Sequence, residues 1–293
     1  MDDDTRNGIR WLLTSPALFA DLPGIGLMPP ARRQQLAGAL HDWLGGVGDA
    51  TNPHDQPLRE ARVGHQAEAL LTQALRHCPG IELIHARLAI RERGTTLGEL
   101  DLLYDDHQRA CRVHGELTVR ILLQRSPSPD WSAWCGTDPR LTLADKLAHL
   151  RDHQLPLGRH PTVPRHPRWP TISEALILGW LLQPLGGHWP AAAHAAPDHL
   201  RGWWLRHGEH EAPRGSRAAR FAIIPPDGWM TTVTLASTAP VLAPRELSAH
   251  LRRHFVGQTS AVLVAEVVRA SHGGWREVAR GAVVHARWPE FPG

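Results

Sequence analysis

Lysine is almost absent: Lys146 is the only one in the chain, and the remainder of its 32 Lys/Arg side chains are arginine. With 25 prolines and abundant alanine, that bias suggests a GC-rich genome. Cysteine is scarce too. Cys78, Cys111 and Cys135 are odd in number, widely separated and never paired as Cys-x-x-Cys, which argues against a zinc knuckle or a disulfide framework. Long apolar runs are missing. The longest, Ala175 to Leu182, falls far short of the ~18–20 residues that a membrane span needs. The Met-Asp-Asp-Asp opening is acidic where a signal peptide needs positive charge, so the sequence predicts a soluble, cytoplasmic protein that engages no membrane. No Gly-x-Gly-x-x-Gly or P-loop run suggests a bound nucleotide, and no Gly-x-Ser-x-Gly elbow anchors a hydrolase triad. Despite 20 histidines, no His-x-x-x-His pair lies beside an acid on a convincing helix, which leaves zinc weakly supported.

What is present is an ordinary folding composition. The 293 residues are 42% hydrophobic and 21% charged, enough for one large or two modest domains. The net charge of +3 permits nucleic-acid binding without arguing for it. The first fifty residues read as helical in patches. A clearer helix runs from about Pro57 to His77, with Val63, Ala67, Leu70, Leu71, Ala74 and Leu75 at three- and four-residue steps, and Pro79-Gly80 stops it. Three strand-like runs follow: 81–90, 97–104 and 112–123. A second helix is expected from an Asp138 cap and Pro139 in the first turn, with Leu143, Leu147 and Leu150 as its buried stripe. Residues 158–170, rich in Pro and Arg, read as an extended connector. Thr171-Ile172-Ser173-Glu174 has capping-box spacing and predicts a short apolar helix to Leu182. Strand-like pieces at 217–224, 261–269 and 277–284, a helix after Pro244 and a hairpin turn at Gly273-Gly274 complete the chain. The expected domains are 1–157, the connector 158–170, and a mixed α/β half at 171–293 of unknown role.

The chemistry concentrates on the central hairpin. Alternation puts Glu99, Asp101 and Leu103 on one face of their strand, and His114, Glu116, Thr118 and Arg120 on one face of the next. A four-residue loop, His107 to Ala110, sets Asp101 opposite Glu116 and Glu99 opposite Thr118. Directly opposed side chains stand about 4.5–5.5 Å apart at Cβ, where like charges repel. A divalent cation relieves that repulsion, and hard oxygens at this separation suit Mg²⁺. A solvated strand face shows the same alternation with no function. Glu68 lies on the apolar side of its helix, where a carboxylate needs a partner: either the same cation or an arginine.

Arg62-Val63-Gly64-x-x-x-Glu68, Gly98-Glu99-Leu100-Asp101, Glu116-Leu117-Thr118-Val119-Arg120, Asp145-Lys146-Leu147-x-His149-Leu150, His153-Gln154-Leu155 and Arg280-Gly281-x-Val283-Val284 with Trp288-Pro289 occur in this order. Together they resemble the domain-of-unknown-function-1853 family of bacterial proteins, grouped with the PD-(D/E)xK restriction-endonuclease-like superfamily. The resemblance spans roughly Arg10 to Pro289. It implies an α/β restriction-endonuclease-like core of a helix, an antiparallel strand triplet, a helix and a further strand, with N-terminal helices before it and a smaller mixed α/β half after it. It also implies that Asp101, Glu116 and Glu68 hold Mg²⁺ or Mn²⁺, and that Glu68, Glu99, Lys146 and Gln154 are auxiliary; for Lys146 a surface or helix-pairing role is the other reading. The superfamily lysine, two residues after the third-strand acid, is Thr118 here, and Arg120 is the nearest cation on that face. Arginine can grip phosphate but cannot act as a base.

Two functions follow as expectations. One is a Mg²⁺-dependent nuclease hydrolysing DNA phosphodiester bonds, with Asp101 and Glu116 on the metal and Arg120 on phosphate. The other is a nuclease-like module without chemistry that binds nucleic acid or a protein partner. The sequence leaves oligomeric state open.

Overall fold

The computed structural model describes residues 2–45, 63–209, 219–225, 228–271 and 273–290. The expected helix start at Pro57, together with Arg62, Gly46 and Arg217, lies outside them. The described residues form a mixed α/β fold. Its helices are α1 (Asp3–Thr14), α2 (Pro30–Ala39), α3 (His41–Leu44), α4 (Val63–His77), α5 (Leu143–His149), α6 (Leu155–Leu157) and α7 (Pro244–Gly257). The strands are β1 (Ile81–Glu92), β2 (Thr95–Asp106), β3 (Cys111–Gln124), β4 (Trp134–Cys135), β5 (Thr171–Pro184), β6 (Leu200–Arg206), β7 (Arg220–Ile224), β8 (Thr234–Leu235), β9 (Val262–Arg269) and β10 (Trp275–Val284). None of the described helices is long and apolar enough to cross a membrane.

The chain divides into two compact units that interleave in sequence. The first contains Met1–Arg120, Asp145–Leu178 and His194–Asp198; the second contains Ile121–Ala144, Gly179–Ala193 and His199–Gly293. Both β3 and β5 contribute one part to each unit. The first unit orders its strands β1-β2-β3-β5. Its β1, β2 and β3 are antiparallel, with Leu103 paired to both His85 and His114. Ile90, Leu100, Leu103 and Val163 form one apolar cluster here, with Leu157 against it. An ion pair of 2.7 Å between Arg32 and the fully buried Asp106 ties α2 to the end of β2. The second unit orders β5-β6-β10-β9-β7, with β6 parallel to both β5 and β10. At its centre Arg280, which is 1% exposed, bonds Glu277 through two nitrogens and lies over the ring of Trp180.

The register of the central hairpin follows from its loop. Pairs run from Asp106–Cys111 to Leu102–Gly115, and Asp101 and Glu116 are the next residues beyond that last pair. The last two strands likewise form a hairpin, with Gly273 at φ +90° in its turn. Two expectations need correction. Residues 171–182 belong to strand β5, not a helix: the apolar run is buried from Glu174 to Leu182 on successive residues, as a strand covered on both faces requires. A short apolar run carries no period that separates the two states. Glu174 therefore caps nothing; it takes two hydrogen bonds from Arg109, of 2.8 and 3.0 Å. The second helix starts at Leu143, and Asp138 turns its carboxylate to the backbone N–H of Arg140 instead (3.1 Å).

Candidate functional site

Asp101 and Glu116 meet where the β2–β3 ladder gives way to side chains. The backbone N–H of Leu117 donates to Asp101 Oδ2 at 2.9 Å, and Asp101 N lies 3.5 Å from Glu116 Oε1. Glu116 is 3% exposed. Its Oε1 is 2.8 Å from Nε2 of the fully buried His114, whose Nδ1 lies 3.1 Å from Ser173 Oγ on β5. Its Oε2 accepts a short hydrogen bond from the Gln154 amide. Asp101 Oδ1 accepts no hydrogen bond from the described residues.

Gln154 reaches Glu116 because the helix following β4 does not stay regular. After α5, residues Leu150–Gln154 widen into a π-helical turn before α6. Such turns re-aim side chains and recur at functional sites. The same turn brings Lys146 Nζ to Gln154 Oε1 at 2.8 Å, so the chain's only lysine stands one side chain away from Glu116. Lys146 is half-buried. Burial and then the Arg120 charge push its ammonium pKa down, while Glu116, Asp101 and Glu68 pull it back up. Arg120 itself is exposed.

Burial pushes the Asp101 carboxyl up from 3.8 to about 7, with the Glu116 and Glu68 charges acting the same way. The Leu117 N–H and the Lys146 charge oppose this rise. The Glu68 carboxyl is also raised, first by burial, although His65 and Arg87 hold it down. Glu68 on α4 thus adds charge to the site. Among the described residues, however, no three His, Cys, Asp or Glu side chains come together closely enough to hold a metal ion. Glu68, expected with Asp101 and Glu116 on a metal, therefore completes no three-donor group with them; what stands together is a pair of strand carboxylates. Glu99 is exposed and turned to the Arg87 guanidinium at 3.0 Å. Arg87 lies between the Ala86–Leu102 and Leu88–Leu100 pairs, facing Asp101 in register, with a left-handed φ of 57°. That backbone is rare for a residue with a side chain, and such strain gathers at functional positions.

One site residue escapes the sequence pattern. Ser173 sits on a segment whose capping-box spacing predicts a helix, which hides its alignment with His114. His114, which alternation puts on the face of Glu116, is 0% exposed and not solvated. Close approach of the chain to this pair requires glycine: a Cβ on Gly158 would stand 2.5 Å from both His114 Nδ1 and Ser173 Oγ. Gly158→Ala is expected to destabilise the protein by about 1–3 kcal/mol, the range for overpacking a filled interior, read as a lowered Tm.

The geometry defines a mixed α/β protein with a buried acid, Glu116, and a half-buried one, Asp101, attended by one lysine. The chain belongs to the family described as Domain of unknown function (DUF1853), whose model matches residues 7–284. No curated protein and no solved structure matches it.

Proposed function

We propose that this protein is a Mg²⁺- or Mn²⁺-dependent nuclease that hydrolyses DNA phosphodiester bonds. The observation that carries the reading is the Asp101–Glu116 pair, two adjoining carboxylates in which burial and then the Glu116 charge push the Asp101 carboxyl up to about 7. That set suits a hard divalent cation, because Mg²⁺ is commonly held by one or two carboxylates, with water and substrate phosphate completing its shell. When bound, the ion supplies Lewis-acid polarisation of a phosphoryl oxygen. Gln154 and His114 fix the Glu116 carboxylate from both oxygens, as outer partners of a metal ligand do. Lys146 takes the role vacant at Thr118: a lysine with a lowered pKa can exchange a proton, whereas Arg120 can only bind phosphate. A helix, an antiparallel strand triplet, the helices α5 and α6 and the strand β5 follow one another in the chain, with the short β4 between β3 and α5, which supports the core that the resemblance implies.

A nuclease-like module that binds nucleic acid or a protein without chemistry is the alternative, favoured by the lack of a three-donor metal group among the described residues. Incubation with DNA and Mg²⁺ or Mn²⁺ separates the two. Cleavage by the wild type and none by Asp101→Asn supports the nuclease; equal cleavage by both, or none by either, overturns it.

A further inference from the structure

From His153 to Ser173 the chain carries no Asp or Glu, and within that interval lie Arg159, Arg165 and Arg168, all exposed. None of the three forms an ion pair with a carboxylate among the described residues. A stretch of this composition reads as a loose connector, but here it is held down. The Arg112 guanidinium donates to Pro164 O at 2.8 Å, the Arg112 backbone N–H donates to Pro170 O at 2.9 Å, and Val163 is buried at 3% exposure. Arg165 Nη2 donates to the Arg159 carbonyl at 3.2 Å, which brings two of the cations together. Trp169 stacks on His166 at 4.1 Å and meets His107 edge-on at 5.1 Å. Its ring is thus spent on pinning the segment, leaving the charges as what the segment offers to a partner. Pro161, Pro164, Pro167 and Pro170 fix backbone angles, so little ordering entropy is lost on contact.

The segment leaves directly from the acidic site. Gln154 bonds Glu116, Leu157 packs against Gly98, Gly158 abuts His114, and Arg159 is next. Arginines without carboxylate partners on a fixed backbone recognise a row of phosphates, and no exposed Trp, Tyr or Phe lies in residues 158–170 to stack splayed bases. We propose that residues 158–170 form a preorganised strap that grips the phosphate backbone of duplex DNA and guides it to Asp101 and Glu116. This inference rests on the nucleic-acid reading above and adds the surface by which the substrate is held.

The test is duplex DNA binding by fluorescence anisotropy in EDTA across a salt series. It compares the wild type with the triple variant Arg159→Gln, Arg165→Gln, Arg168→Gln and with the corresponding triple lysine variant. Loss of three phosphate contacts is expected to reduce the slope of log K against log salt by about 2–3 and to weaken binding at least about tenfold at moderate salt. The lysine variant is expected to keep most of the slope, because the charge remains. Circular dichroism melts matching the wild type establish that the variants fold. Wild-type binding with an unchanged slope in the glutamine variant overturns the strap alone and leaves the nuclease reading standing. No binding of duplex by the wild type also overturns the strap, while cleavage with Mg²⁺ or Mn²⁺ decides the nuclease reading separately.

Discussion

Asp101→Asn is expected to melt at a higher temperature than the wild type at pH 8 while losing metal-dependent cleavage. Folding raises the Asp101 carboxyl from 3.8 to about 7, so the native state holds this proton more tightly than the unfolded chain does. Stability from this group is therefore undiminished below pH 3.8, falls as pH rises through the window up to about 7, and stays low above it. One pKa unit corresponds to about 1.4 kcal/mol; with solvent screening and relaxation, the neutral amide is expected to recover about 1–3 kcal/mol at pH 8. An amide also keeps an acceptor for the Leu117 N–H. Cleavage is expected to drop by more than about a hundredfold, beyond the range seen when only an outer partner of a metal ligand is lost. Gain of stability with loss of activity marks a strained functional position. Thermal melts of both proteins from pH 4 to 8 check it: the gap is expected to close toward the acid end.

Lys146→Met carries the second large effect. Lys146 is a cation near the acids that can give up a proton, and removing a positioned acid or base typically costs about 10²–10⁴-fold in rate. Lys146→Arg is expected to recover charge and folding without recovering the rate, because arginine stays protonated. Arg120→Gln is expected to weaken DNA binding more than the single-turnover rate. Single-turnover cleavage at saturating DNA measures the rates of all three, and its dependence on protein and DNA concentration below saturation measures the binding loss in Arg120→Gln. A Lys146→Arg variant as fast as the wild type would show that the side chain supplies only charge.

The central hairpin was legible because every level agreed. Period-two alternation predicts the strands, a turn-rich loop predicts the register as far as Leu102–Gly115, and the Asp101 and Glu116 side chains meet just beyond it. The third acid was less legible. Helical spacing turned Glu68 inward but could not fix its distance from two strands, and it brings charge without completing a donor group. Lys146 and Gln154 depend on a π-helical turn, a backbone irregularity with no sequence period. Ser173 and β5 were hidden because an apolar run buried on both faces reads equally as helix or strand. The interleaving of the two units is a tertiary outcome: β3 and β5 are continuous in sequence yet each contributes to both.

The central claim, that two strand carboxylates share one divalent ion, is tested most directly by titrating Mn²⁺ into the metal-free protein at pH 8 in a calorimeter. One ion per chain is expected for the wild type, and none for Asp101→Asn. No uptake by the wild type at millimolar Mn²⁺, or equal uptake by both proteins, would contradict the account.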